Sequence, residues 1–260
     1  LAINNTIPAT GGKDAESVVE VRENALAYFQ TQGRAVTKED YISRVYALPA
    51  KYGNIAKAYI VQDTQLDNVN VADANRIINP FALNLYVLGY NSSKQLSNLN
   101  DAVKNNIKTY LSQFRMVTDA INIKDAFVIN IGVKFSILTK VGYNKQEVIL
   151  RSIQKVKEFF QIDKWQIGQP IILSDLAYQI SLTEGVSAVV PPESDNPNGL
   201  PVLITNKHSA SSGYSGNVYD IVTATKDGVV YPSVDPSCFE LKFPATDVQG
   251  QVVGNAAGGN

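Results

Sequence analysis

Among the side chains able to do chemistry, histidine and cysteine occur once each, as His208 and Cys238. One thiol cannot close a disulfide within the chain, and one imidazole cannot build a thiolate or imidazole metal cage, so folding inside a cell fits better than secretion. The nearest thing to a nucleophile elbow is Gly213-Tyr214-Ser215-Gly216-Asn217, which has Asn217 where the pattern needs glycine. His208, Ser215 and Asp220 are close in sequence, and a serine hydrolase would use His208 to take the proton of Ser215. A Ser, Gly and Tyr cluster in a β-rich stretch reads more simply as a loop. Asp14 with Glu16, and Glu39 with Asp40, have the residue types of glycosidase acids. They stand at helix starts, however, where dipole and capping effects of about 0.3–1 kcal/mol account for them. No glycine-rich phosphate loop occurs, and the pair Gly11-Gly12 precedes acids that would repel phosphate. The expectation is a chain that is not an enzyme, with no catalytic, cofactor-binding or metal residues and no small-molecule substrate.

The totals narrow the partners. The 23 basic and 24 acidic residues nearly cancel and are scattered, which argues against nucleic acid as a ligand. No apolar run approaches the roughly 18 residues of a membrane-spanning helix, and no basic-then-apolar signal opens the chain. A length of 260 residues with 45% hydrophobic content can bury a substantial core in one large domain or two smaller ones. Leu1 opens in what reads as the end of a loop, so the chain is expected to be a piece of something longer.

The elements that would position any site follow from periodicity. Residues 14–32 predict a helix whose apolar face holds Val18, Ala25 and Phe29 with Ala15, Val19 and Leu26, ended by Gly33. Thr37 and Asp40 predict the cap of a shorter second helix, stopped by Pro49. Strands are expected in 54–62 and 81–90, a helix within 96–114, and a strand over 126–138, where Phe127, Ile129, Ile131, Val133, Phe135 and Ile137 alternate. A helix from about Lys145 to Phe160 turns Val148, Ile149, Ile153, Val156 and Phe160 inward. Trp165, beside Phe159 and Phe160, reads as a core plug.

The opening pattern then returns. Gly33 with Asp40 has its partner in Gly168 with Asp175, and each short helix is followed by a glycine, Gly53 or Gly185, and a β-rich step. Ser174 is the expected cap in the second copy. This reads as a degenerate helix–helix–strand duplication in an α+β body with a mixed sheet. The expected domains are 1–80, holding the first copy, 81–190, holding the second, and a β-rich appendage over 191–260 that ends in a tail poor in core residues. Tyr214, Tyr219, Tyr231 and Phe239 are the candidate contact residues of that appendage, for subunits or for a stacked glycan ligand.

Taken in order and spacing, Gly11, Gly12, Asp14, Glu16 and Arg22, then Gly33 to Thr37, Asp40 and Tyr41, resemble the baseplate J-like family of contractile phage tails. The segments "VINIGVKFSIL", "EVILRSIQKVKEFF", "WQIGQPIILSDLAYQI" and "GVSAVV" continue the resemblance to about residue 190, with the wedge protein of the T-even branch the most similar. The resemblance implies a structural subunit of the baseplate wedge that forms a dimer and joins other wedge proteins in the ring around the tail hub. That ring changes diameter when the sheath contracts. It also implies a place in the virion after assembly in the host cytoplasm, and it brings no catalytic residues with it. A hinge near 191–201 is the expected site of flexing.

Overall fold

The computed structural model describes residues 33–62, 81–192, 196 and 199–255, with six further helical positions, Val18, Val21, Arg22, Ala25, Leu26 and Phe29. Gly11, Gly12, Asp14 and Glu16 therefore lie outside the described residues. The chain is α+β with mixed sheets and divides into two compact units, Leu1–Ala126 and Phe127–Asn260.

In the first unit, helix α1 (Lys38–Tyr46) leads to strand β1 (Lys57–Gln62), which pairs antiparallel with β2 (Ala82–Tyr90). A short strand β3 (Leu96–Ser97) returns along the end of β2. Helix α2 (Asp101–Leu111) then crosses to β4 (Ala120–Asp125), which lies parallel to β2. Asn100 starts α2 because its side chain accepts from the free N–H groups of Ala102 and Val103, at 2.6 and 3.2 Å. Tyr41, Val45, Leu85, Val87, Ile107, Leu111 and Ile121 meet in the core between the helices and the sheet.

The second unit is organised on β5 (Phe127–Thr139), the strand with the strongest alternation in the sequence. Helix α3 (Lys145–Phe159) buries Val148, Ser152 and Val156 and is started by Asn144, whose side chain accepts from Gln146 N. A two-residue strand β6 (Ile171–Ile172) runs into helix α4 (Leu173–Ser181) and then β7 (Val186–Val190), antiparallel to β5. Strand β8 (Val202–Asn206) is also antiparallel to β5. Helix α5 (Ile221–Ala224) and strands β9 (Thr225–Lys226) and β10 (Val229–Val230) follow, β10 bridging β9 and β6. Strand β11 (Ser237–Glu240), helix α6 (Pro244–Asp247) and strand β12 (Val248–Asn255) complete the unit, with both strands parallel to β5.

Three expectations change. The stretch after 191 is no appendage: β8, β11 and β12 all pair with β5, because a long central strand offers more ladder than β7 alone can satisfy. The segment expected to be a loose tail supplies β12 as far as Asn255. Residues 221–224, read as β-like, form a helical turn because Asp220 accepts from Val222 N and Thr223 N.

The two units repeat one layout. Each has a central strand (β2, β5) with an antiparallel neighbour (β1, β7) and a parallel one (β4, β12). In each, the short helix (α1, α4) packs on the antiparallel neighbour and the long helix (α2, α3) on the parallel one. A positive-φ glycine before the antiparallel strand marks the equivalence. Gly53 has φ 144° and faces Val103 of α2, while Gly185 has φ 90° and faces Val148 of α3. By these contacts α2, which follows β2, holds the place in the first unit that α3 holds in the second. The second unit thus holds the same five elements in a different chain order, with its central strand and long helix first and its parallel strand last.

Candidate functional site

The motif at Gly33 to Tyr41 is closed on itself. Gly33 stands at φ 79°, in the left-handed region glycine enters freely. Ala35 N donates to Phe114 O at 2.8 Å. Val36 N and Thr37 N both donate to Asp40 Oδ2, at 3.0 and 2.9 Å, and Asp40 N donates to Thr37 Oγ1 at 3.2 Å. These N–H groups, the Thr37 amide first, hold the Asp40 carboxyl below its usual value. Tyr41, fully buried, donates its hydroxyl to Asp119 Oδ2 at 2.6 Å, and burial followed by that carboxylate pushes the phenol well above its ordinary range.

Thr37→Ala is expected to cost about 1 kcal/mol in urea unfolding at neutral pH. The Asp40 contribution is complete above the ordinary carboxyl value and fades as pH falls through the lowered one. The difference between wild type and variant therefore narrows in strong acid, and a constant difference down to that range would count against the reciprocal cap.

The second motif differs in detail. Gly168 again has φ 79° and donates its N–H to Ser237 O at 2.8 Å. Ile172, not Ser174, is the N-cap of α4; it makes no side-chain bond, and Ser174 sits one residue inside the helix with Asp175 in the first turn. An open cleft of about 370 Å³ lies beside it, lined by Lys155, Glu158, Lys164, Trp165, Asp175 and Gln179 among others. Its Lys155 pairs with Glu158 at 3.0 Å, and Lys164 donates to Glu158 O at 3.0 Å. Trp165 is buried, stacks on Phe160 at 5.3 Å and donates Nε1–H to Phe159 O at 2.9 Å.

The hydrolase candidates are occupied with structure. Ser215 Oγ donates to Val128 O at 2.7 Å, and Ser215 N donates to Asn130 Oδ1 at 2.7 Å. Asp220 caps α5 and accepts from Thr223 Oγ1 at 2.6 Å, which lowers its carboxyl value. His208 is exposed. Among the described residues no group of His, Cys, Asp and Glu could hold a metal ion, and no helix is long and apolar enough to cross a membrane.

The aromatic contact candidates fall into two classes. Phe239 is 3% exposed and has no surface to offer. Tyr214 is half-buried, packs edge-on against Phe243 and donates to Asp247 Oδ1 at 2.5 Å; burial and then that carboxylate push its phenol up to about 12. Tyr219 donates to Tyr231 O at 2.7 Å, leaving the half-exposed Tyr231 ring as the accessible one of the set.

The helical positions near the start of the chain run against expectation. Val18 and Phe29 are 85% and 83% exposed, and Val21, Arg22, Ala25 and Leu26 are exposed too. The face read as inward is open at every described position. Strand β12, one face of which exposes Gln249, Gln251 and Val253, was not legible in the sequence because "GQVVGN" is poor in large apolar residues.

With the geometry in place, the chain can be set beside known proteins. No protein-family profile matches it, and no curated protein does. Among solved structures, 17 chains are similar. One belongs to the cryo-EM structure of the anti-feeding prophage (AFP) baseplate, 6-fold symmetrised, with a TM-score of 0.51 at 12% identity. The likeness covers 86% of the present chain but 42% of that one, and at this identity it is a likeness of fold.

Proposed function

We propose that the chain is a structural subunit of a contractile-tail baseplate, part of the wedge framework. In this reading it associates with itself and with neighbouring wedge proteins into the ring around the hub, in a virion assembled in the host cytoplasm. The observation that carries the reading is the fold likeness to a chain of the anti-feeding prophage baseplate over 86% of the present chain. The candidate site residues support it, since Thr37, Asp40, Tyr41, Ser215 and Asp220 spend their polar groups on caps and buried bonds. The mechanism is mechanical. Stiff α+β units hold their contacts while the joints between bodies absorb the change of ring geometry on contraction.

The test is to mix the purified chain with the wedge proteins of a contractile tail and image the complexes by electron microscopy. The expected result is density for this chain in the ring. A chain left in solution while the wedges assemble would remove the reading.

A further inference from the structure

We draw no further inference here: the strongest candidate, the open cleft between α3 and α4 lined by Lys155, Glu158, Lys164 and Asp175, has both lysines held by Glu158 and carries nothing, because nothing in the structure shows what fills it.

Discussion

Alanine at Gly185 is expected to destabilise the second unit by about 3 kcal/mol, among the largest effects of any single methyl group in this chain. Two costs combine. The backbone stands at φ 90°, where a side chain costs about 1–3 kcal/mol. A Cβ there would also lie 2.6 Å from Val148 Cγ2 and 2.8 Å from Tyr143 Cδ1, distances real Cβ atoms do not tolerate. Val148 cannot swing aside, because it is 1% exposed and β-branched on a packed helix. A double-mutant cycle with Val148→Ala removes the Val148 share of the clash and leaves the Tyr143 contact and the backbone strain. Trp165, the chain's one tryptophan, lies in this unit and gives the fluorescence readout in urea. Gly185→Ala should lose about 1–2 kcal/mol less in the Val148→Ala background. Strict additivity would mean that the packing of α3 on Gly185 is not what fixes this glycine. A Cβ at Gly53 would likewise lie 2.4 Å from Val103 Cγ1, so the cycle also probes the layout shared by the units.

Local chemistry was legible in the sequence and pairing was not. The Thr37 and Asp40 cap, the alternation of β5 and the Val148, Val156 and Phe160 face are written in neighbouring residues, and the structure has each of them. Gly33 and Gly168 share one φ value, as the recurring spacing suggested. Strand β4 escaped notice because "AINIKD" is short and half polar; its place comes from β2, some 38 residues earlier, as in the pair Asn84 with Asn122. The strands after residue 191 looked like a separate module for the same reason, since nothing local in "CFEL" or "VQGQVV" names β5 as the partner. The repeat read in sequence order pairs Gly33 with Gly168, whereas Val103 and Val148 reach Gly53 and Gly185 from helices on opposite sides of them in the chain. Phe239 looked like a contact residue by type, and only the parallel pairing with Ile129 puts it inside.

The fully buried Asn130 joins β5, β8, β11 and the Ser215 loop, and its loss is expected to be the other large effect. Its Nδ2 donates to Glu240 Oε2 at 2.8 Å, and its Oδ1 accepts from Ser215 N at 2.7 Å. Its main-chain O accepts from Lys207 N at 2.9 Å and from Asn206 Nδ2 at 3.2 Å. Asn130→Leu keeps the volume and removes both side-chain bonds, taking a donor from a carboxylate that is 2% exposed. The expected cost is about 3 kcal/mol, because a buried carboxyl group and the Ser215 N–H each lose a hydrogen-bond partner. Asn130→Asp puts two carboxyl groups in contact, so one of them holds its proton to a raised value. A raised value in the folded state means stability that is present in acid and lost as pH climbs through it, so this variant should unfold at lower urea at pH 8 than at pH 5. Adding Glu240→Gln to Asn130→Asp reverses donor and acceptor across the same gap and should recover most of the loss at pH 8. If the pair stays as unstable as Asn130→Asp alone, the bond between β5 and β11 is not what holds the Ser215 loop and the end of the sheet together. Full recovery would instead assign the loss to this one buried bond, which ties the side chains of β5 and β11 together at the end of their parallel ladder.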